Sequence, residues 1–366
     1  MLLWPAAESP SPIPHRAADL ILALLPTART GLEALTIGRL PRYYLLTLLG
    51  FQLNPPTWII LATFVGMFLI VYSGKIVKTI RRRVARPAKE KEPTMEHDCY
   101  SKGMIFHSAV KAVRNIARGK PLCVSLEVTH NCTADCRHCD KGPEVQDHAV
   151  DAATFAGICR ELDPTMVQIA GGEPLLRDDL ADIVRAVRRP GRPPFIAIIT
   201  NGSLLTNERY LELREAGANQ FSISIDFPDD RHDGWRRIPG LFDHLSGLVP
   251  GLIAQGHGDI VLNACFHRAN FRLLPEIARL AQDWGTKLNL SPYTDLRTGN
   301  KALNLRHPED TRELDDLIAR LYDPAEGFDN IMTSEVVMRR FNDFYKTGYT
   351  AGCRAGCRYL VVNPDG

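Results

Sequence analysis

From residue 121 onward, strand-like and helix-like segments alternate along the chain. Short apolar runs predict six strands, which are Leu122–Val128, Met166–Ala170, Phe195–Thr200, Gln220–Asp226, Ile260–Phe266 and Lys287–Leu290. Segments of helical periodicity lie between them, for example Asp178–Val187, Asn207–Ala216, Leu241–Ala254 and Leu273–Trp284. Because strand–helix–strand units join parallel strands by right-handed crossovers, this order predicts an α/β fold. Six units indicate a partial (βα)6 barrel, open on one side, rather than a closed barrel of eight.

An apolar segment precedes the alternating region. No Asp, Glu, Lys or Arg lies between Arg42 and Lys75, and residues 57–74 are dominated by Ile, Leu, Val and Phe. Eighteen helical residues span roughly 27 Å, close to the hydrocarbon thickness of a bilayer. Trp58 and Tyr72 stand near the two ends, where amphipathic rings favour the membrane interface. The segment predicts one transmembrane helix, and a buried core helix is the alternative.

Basic residues directly after this segment predict its orientation. Twelve residues without an acid contain six of them, namely Lys75, Lys78, Arg81, Arg82, Arg83 and Arg86. By the positive-inside rule they stay in the cytoplasm. We therefore expect a single-pass cell-membrane protein with its N-terminus outside, the α/β domain after residue 75 in the cytoplasm and the lipid bilayer as a partner. Removing six positive charges from the net +2 leaves −4, which argues against a nucleic-acid partner.

The segment between the membrane helix and the barrel predicts a linker and a helix. Residues 86–96 are charged and contain two prolines, and Lys102–Lys120 has amphipathic periodicity. A basic amphipathic helix near a membrane can lie on anionic lipid. Packing under the catalytic domain is the alternative that we favour.

Three of the nine cysteines follow the first predicted strand within eight residues. They form the pattern Cys132-x3-Cys136-x2-Cys139. Three thiolates on so short a loop can bind one corner of a metal cluster, but they cannot complete a four-coordinate site without a distant ligand. A cubane iron–sulfur cluster with one open iron fits this set, and a zinc site remains the alternative.

Further short motifs stand at the ends of the next three predicted strands. Gly-Gly-Glu-Pro follows the second strand, Thr-Asn-Gly the third, and alternating serines with an aspartate end the fourth, before a loop that contains an arginine. Taken singly, each motif also fits a turn or a polar strand face. The candidate residues are Gly171, Gly172, Glu173, Pro174, Thr200, Asn201, Ser222, Ser224, Asp226 and Arg237.

With the cysteine spacing, these motifs resemble the radical SAM superfamily over about residues 121–300. The resemblance implies that Cys132, Cys136 and Cys139 ligate a [4Fe–4S] cluster and that the candidate residues contact S-adenosylmethionine. It also implies reductive cleavage of that cofactor to methionine and a 5′-deoxyadenosyl radical, which abstracts hydrogen from a substrate. A flavodoxin or a ferredoxin would then be the electron donor.

The C-terminal residues resemble the beginning of a SPASM-type extension. Cys353 and Cys357 are followed by Asn-Pro-Asp-Gly, a hairpin-turn sequence that ends at Gly366. The resemblance implies an auxiliary iron–sulfur cluster, but the remaining ligands are absent, so we expect either a truncated sequence, which we favour, or a vestigial site. An incidental thiol pair is the alternative.

These observations predict a segmented chain with one catalytic core. We expect an N-terminal non-cytoplasmic or interfacial segment, a transmembrane helix, a basic linker with an amphipathic helix, a radical SAM core, a helical region and a SPASM-like start, at residues 1–56, 57–74, 75–120, 121–300, 301–350 and 351–366. The leading functional hypothesis is a membrane-tethered radical SAM enzyme that acts on a lipid or isoprenoid, because tethering concentrates membrane partners. A peptide- or protein-modifying SPASM-type maturase and a non-catalytic iron–sulfur or zinc redox protein are the alternatives.

Overall fold

A computed structural model describes residues 102–143, 147–350 and 352–366 of the chain. The predicted membrane helix at residues 57–74 lies outside this part, as do the N-terminal segment and most of the linker. Among the helices that the structure does describe, none is long and apolar enough to cross a membrane.

The strands form one parallel, seven-stranded sheet. Their bounds are β1 Cys123–Thr129, β2 Met166–Gly171, β3 Phe195–Thr200, β4 Gln220–Ser224, β5 Ile260–Phe266, β6 Lys287–Pro292 and β7 Tyr359–Val362. The strand order is β6-β5-β4-β3-β2-β1-β7, so each of the first six strands pairs with its neighbours in sequence. The six strands predicted from the sequence are confirmed, with ends that differ by at most two residues. The fold is a parallel α/β half-barrel.

Helices connect the strands and continue beyond β6. They are α1 Lys102–Ala117, α2 Ala152–Leu162, α3 Leu180–Val187, α4 Asn207–Ala216, α5 Arg231–Arg236, α6 Leu241–Ala254, α7 Leu274–Asp283, α8 Pro308–Leu321 and α9 Glu335–Thr347. Local sequence sets several of their ends. The side chains of Asp151, Thr206 and Ser334 accept backbone N–H groups at the starts of α2, α4 and α9.

Alternation along the strands separates two faces of the sheet. On β1, Val124, Leu126 and Val128 are fully buried among the helices, while Ser125 and Glu127 lie on the opposite, inner face. The same period on the other strands directs their largest apolar side chains into the helix-covered core. Polar residues therefore collect on the concave face, beside the carboxyl ends of the strands.

Helix α1 packs at the amino-terminal end of the barrel. Ala109 and Ala112 are buried, and the Asn115 side chain donates to the carbonyl oxygens of Pro121 (3.0 Å) and Asp163 (2.8 Å). The expectation that this helix packs under the domain is confirmed. Phe106 and Val110 of this helix are about half exposed.

The seventh strand was not predicted. Residues 359–362 pair in parallel with β1, and the Arg358 guanidinium donates to the carbonyl oxygens of Asn115 and Lys120. The segment that follows Cys357 therefore forms an edge strand of the barrel sheet.

Candidate active site

The Cys loop, which we define as residues 130–142, begins where β1 ends. Cys136 is buried, Cys132 is partly buried and Cys139 is exposed. Burial raises the pKa of the Cys136 thiol to about 11 and also raises that of Cys132. The three thiols are close enough that charges on two of them contribute to raising the pKa of Cys136. Deprotonated sulfur at this place therefore needs positive charge from a metal or from nearby donors.

Hydrogen-bond donors already point at two of the sulfurs. The amide of Ala134 donates to Cys132 Sγ and that of Lys141 donates to Cys139 Sγ, both at 3.4 Å, and Asn201 Nδ2 lies 3.7 Å from Cys132 Sγ. Hydrogen bonds to cysteine sulfur stabilise cluster-bound thiolates and tune their potentials. These donors fit an iron–sulfur cluster.

The geometry also bears on the kind of metal site. Within residues 102–143, 147–350 and 352–366, no three His, Cys, Asp or Glu side chains are grouped closely enough to hold a single metal ion. A cluster takes each thiolate on a different iron and does not require the sulfurs to meet at one point. Cys132, Cys136 and Cys139 are the residues that would hold it.

Two glycines bring the end of β2 against the beginning of the Cys loop. The amide of Gly172 donates to Thr129 O (2.7 Å) and that of Glu173 donates to Asn131 O (2.8 Å). A Cβ on Gly171 would overlap the Thr129 carbonyl oxygen, and one on Gly172 would overlap that of Asn131. Gly171 also has φ +124°, which favours glycine. The glycines therefore let the end of β2 pack against the end of β1 and the beginning of the Cys loop.

Glu173 joins the ends of β2 and β3. Its carboxylate is fully buried and accepts hydrogen bonds from Leu175 N (3.0 Å), Thr200 Oγ1 (2.7 Å) and Asn201 N (2.8 Å). Burial raises its pKa. Pro174, which is also buried, starts a short 3-10 turn at this point. Two of the predicted motifs, Gly-Gly-Glu-Pro and Thr-Asn-Gly, are thus parts of one hydrogen-bonded unit.

Asn201 links that unit to the Cys loop. Its Nδ2 donates to Thr133 Oγ1 at 2.8 Å, and its Oδ1 accepts from the amide of Ser203 at 2.8 Å. The hydroxyls of Thr133 and Ser203 are 2.8 Å apart. The cysteine motif, the glycine motif and the Thr-Asn-Gly turn are therefore adjacent in space, although up to 70 residues separate their hydrogen-bonded members.

A buried ion pair lies at the end of β4. Asp226 Oδ2 is 2.6 Å from an Arg236 Nη2, and Asp226 Oδ1 accepts from Cys265 N at 3.1 Å. Burial opposes ionisation, but Arg236 and neighbouring histidines outweigh it and lower the Asp226 pKa to about 2. The arginine at this position is Arg236, whereas Arg237, which was chosen from the sequence, is exposed and pairs with Asp135.

Sequence reasoning did not predict a group of rings beside the loop. Trp235 stacks on His267 with centroids 4.2 Å apart, and Trp235 Nε1 donates to His138 Nδ1 at 2.7 Å. Phe227 packs against Trp235 at 5.5 Å. The only sequence signal was His138, an aromatic ring directly before the last cysteine of the loop.

Two buried histidines, His232 and His267, each have a ring N–H in this region. His232 Nδ1 accepts from Asp226 N and His267 Nδ1 accepts from Ala269 N, each at 3.2 Å, so their Nε2 atoms carry the protons. Among the residues that the structure describes, neither Nε2 has a hydrogen-bond partner. Burial lowers the pKa of His232 to about 4 and that of His267 to about 3, so both are neutral donors near pH 7.

The inner face next to these groups is polar. Ser222 is buried and Ser224 partly buried on β4, while Asn289 Nδ2 on β6 donates to Asn263 Oδ1 on β5 at 2.7 Å. Across the open side of the barrel, an Arg297 Nη2 reaches the buried carboxylate of Glu127 at 2.7 Å. Polar and charged side chains therefore line the space that faces the Cys loop.

Cys353 and Cys357 precede β7, the edge strand that pairs with β1. Both are exposed free thiols. Their assignment to an auxiliary cluster stays a prediction.

This site and the half-barrel define a class of protein. Residues 126–245 match the family model of the radical SAM superfamily, so the chain carries a radical SAM domain and the resemblance is confirmed. Proteins with this domain are enzymes, and their cofactors are a [4Fe–4S] cluster and S-adenosylmethionine. The thiols, their amide donors and the glycine-supported loop described above fit those cofactors.

Individual relatives perform different reactions. The chain is 28% identical over 199 residues to an AdoMet-dependent heme synthase of Oleidesulfovibrio alaskensis, covering 52% of this chain and 50% of the relative. It is 33% identical over 204 residues to a GTP 3′,8-cyclase of a Synechococcus species, covering 50% and 59%. The chain thus spans about half the length of these curated relatives.

Solved structures share the fold. The Streptococcus suis protein SuiB, in its complex with the precursor peptide SuiA, superposes with a TM-score of 0.55 at 15% identity. The match covers 82% of this chain and 72% of SuiB. It shows a common half-barrel architecture.

Proposed function

We propose that this chain is a membrane-tethered enzyme that cleaves S-adenosylmethionine and abstracts hydrogen from a polar substrate. When bound, a reduced [4Fe–4S] cluster supplies the electron that splits the cofactor into methionine and a 5′-deoxyadenosyl radical. Cys132, Cys136 and Cys139 hold the cluster, and the ends of β2, β3 and β4 hold the nucleotide.

One observation supports this cofactor role above the others. The buried carboxylate of Glu173 fixes the Gly-Gly-Glu-Pro and Thr-Asn-Gly motifs together, and Asn201 fixes both against Thr133 in the Cys loop. A redox sensor that only displayed three thiols would not need this unit. Preorganised donors and acceptors around a reacting group are the usual contribution of the protein in cofactor enzymes.

The polarity of the inner face favours a polar substrate. Asn263 and Asn289 lie on adjacent strands there, and Glu127 with Arg297 forms a charged pair at the opening. An acyl or isoprenoid chain would displace water from these amides and charges without replacing its hydrogen bonds, which costs on the order of 2–7 kcal/mol for each polar group left without a hydrogen bond. A lipid substrate is therefore the weaker hypothesis.

A peptide is the polar substrate that we favour, which makes the chain a maturase. Peptide groups present both donors and acceptors to amide side chains such as those of the inner face. SuiB, which has the same architecture, binds a precursor peptide. Cys353 and Cys357, assigned from the sequence to an auxiliary cluster, agree with this class.

Tethering rests on the sequence. The apolar run at residues 57–74 and the six basic residues after it support a single-pass membrane protein whose catalytic domain is cytoplasmic. A flavodoxin or a ferredoxin there would be the electron donor.

Anaerobic assembly tests the proposal. Full-length protein in detergent is loaded with iron and sulfide, reduced with dithionite and given S-adenosylmethionine, and 5′-deoxyadenosine is measured by mass spectrometry. We expect Cys132→Ala, Cys136→Ala and Cys139→Ala each to reduce the rate of its formation at least 100-fold, because a missing ligand prevents stable cluster binding. A 100-fold loss in rate corresponds to about 2.7 kcal/mol in activation free energy. Cys159→Ala, a buried thiol of the core, is the control and should retain formation.

The same assay distinguishes the substrate classes. Peptide and lipid fractions of the source cells are added separately, and stimulation of 5′-deoxyadenosine formation is compared. Stimulation by the peptide fraction supports a maturase, whereas stimulation by lipids alone contradicts the polar-substrate proposal. A wild-type protein that yields no 5′-deoxyadenosine contradicts the enzymatic function.

A further inference from the structure

Helix α5 contacts the Cys loop at three points. Trp235 Nε1 donates to His138 Nδ1 (2.7 Å), the carbonyl oxygen of Arg236 accepts from Asp135 N (3.2 Å), and the Arg237 guanidinium pairs with the Asp135 carboxylate. The contacts therefore reach two separate positions of the loop, one before Cys136 and one before Cys139.

The same helix is anchored to the barrel. Arg236 pairs with the fully buried Asp226 at 2.6 Å, and Asp226 N donates to His232 Nδ1 at 3.2 Å. Asp226 in turn accepts from Cys265 N at the end of β5. Because both members of the ion pair are buried, removing either would leave an uncompensated charge, so α5 has one strongly favoured position.

Trp235 is held by neighbouring rings as well as at its nitrogen. His267 stacks on it with the ring planes 23° apart, and Phe227 packs against it. The Trp235 and His138 ring planes are 8° apart, and the Trp235 N–H donates to His138 Nδ1. His138 is thereby fixed with its Nδ1 as acceptor and its proton on Nε2.

We propose that α5 is a clamp that positions the Cys loop, and that Trp235 is the positioning residue that acts on Cys136 and Cys139 through His138. The clamp sets the spacing of these thiols before any cluster binds, so the loop loses less conformational freedom when it does. Its benefit to the enzyme rests on the proposed function, but its effect on the loop does not.

Hydrogen exchange on the cluster-free, full-length chain tests the clamp. Trp235→Phe keeps an aromatic ring and removes the N–H donor. A net hydrogen bond contributes about 0.5–1.5 kcal/mol, so exchange of the Asp135 and Cys139 amides should become about 2- to 12-fold faster. Trp284→Phe is the matched control, since both tryptophans are 8% exposed and Trp284 lies in the core against Phe242. Equal exchange in the two variants overturns the proposal.

A double-variant cycle separates positioning from loss of packing. In Trp235→Phe, the ring nitrogen of His138 loses its donor, whereas in Trp235→Phe with His138→Phe both polar partners are gone. We expect the effect of Trp235→Phe on loop exchange to shrink at least twofold when His138→Phe is already present. Strictly additive effects on loop exchange contradict positioning through His138, and thermal unfolding of each variant reports global stability separately.

Cluster assembly tests whether the clamp helps the Cys loop to bind a cluster. Iron and sulfide incorporation should be slower in Trp235→Phe than in Trp284→Phe, and the electron paramagnetic resonance (EPR) lines of the reduced protein should broaden. Equal incorporation rates and line widths overturn the benefit to the cluster. If wild-type protein binds no cluster, the proposed function fails, while the exchange experiment still decides whether the clamp exists.

Discussion

At the scale of single residues, the site depends on close backbone approach and on one buried carboxylate. Gly171 and Gly172 let the end of β2 lie directly against Thr129 and Asn131, and Glu173 collects three donors from β3 and its own turn. No side chain larger than hydrogen fits at Gly171 without moving the end of β1, or at Gly172 without moving the Cys loop. The motif is therefore a support for the loop as well as a candidate contact for the cofactor.

Adding one methyl group at Gly172 should damage the site. Gly172→Ala places a Cβ into the Asn131 carbonyl oxygen, so we expect a loss of about 1–3 kcal/mol in unfolding free energy together with lower iron content. Gly247→Ala is the control, because Gly247 lies in α6 with open space around it and should gain up to about 1 kcal/mol. Urea unfolding and iron analysis check both, and an unaffected Gly172→Ala would contradict the support role.

Single residues also show what the sequence could and could not predict. The Cys loop was predictable because its three candidate ligands are neighbours in the chain. The arginine that pairs with Asp226 is Arg236, the last residue of α5, whereas Arg237, the residue chosen from the sequence, has φ +56° and pairs with Asp135. His267 and Trp235 meet only through the packing of β5 against α5, which no local pattern reports.

At the scale of elements, the amino-terminal end of the barrel is held by one acidic residue. Asp163, after α2, pairs with Lys111 (2.8 Å) and Arg114 (2.6 Å) of α1 and with Arg189 (2.8 Å) after α3. Lys111 is almost fully buried. Three helices therefore depend on a single carboxylate at the end opposite the Cys loop.

Replacing that carboxylate should destabilise the domain in a pH-dependent way. Burial opposes ionisation of Asp163, but hydrogen bonds from Lys111 and Arg189 lower its pKa below the ordinary value of 3.8. A lowered carboxyl pKa stabilises the fold above the unfolded-state pKa, and this stabilisation is lost as pH falls through the lower, folded-state value. Asp163→Asn should therefore cost about 3 kcal/mol at pH 7, and less below pH ~3.8.

Thermal and urea unfolding between pH 3 and pH 7 measure this difference. Glu161→Gln is the control, because Glu161 is exposed and lies two residues before Asp163. It should change stability by less than about 0.5 kcal/mol. A constant difference between wild type and Asp163→Asn across this pH range would show that the carboxylate charge is not the cause.

Elements differ in how far the sequence predicts them. The first six strands alternate with helices, so each was visible as a local pattern. Strand β7 pairs with β1 across more than 230 residues and has only four residues, Tyr359–Val362. Long-range pairing of so short a segment leaves no periodic signal, so the strand was not visible in the sequence.

At the scale of the whole molecule, a polar half-barrel is joined to a chain segment with the composition of a membrane anchor. The catalytic domain is described from residue 102 onward, and the anchor remains a prediction from residues 57–74. In the proposed arrangement, the membrane fixes the location of the enzyme while the polar inner face selects a water-soluble substrate.

Charges in the apolar segment should release the protein from membranes. Each arginine near the centre of a membrane helix costs about 2.5–3.5 kcal/mol, so Val65→Arg with Leu69→Arg should move the full chain from the carbonate-resistant pellet to the supernatant. Leu22→Arg with Leu25→Arg, which places two arginines at leucines outside residues 57–74, should leave it in the pellet. Wild-type protein extracted by carbonate would contradict the anchor.

EPR of the reduced, cluster-loaded protein tests the central claim most directly. Three cysteines on the Cys loop leave one iron for S-adenosylmethionine, so the [4Fe–4S]+ signal should be present and its g values should shift when that cofactor is added. S-adenosylmethionine bound without any change in the signal, or purified protein that takes up zinc and no iron, would contradict the account.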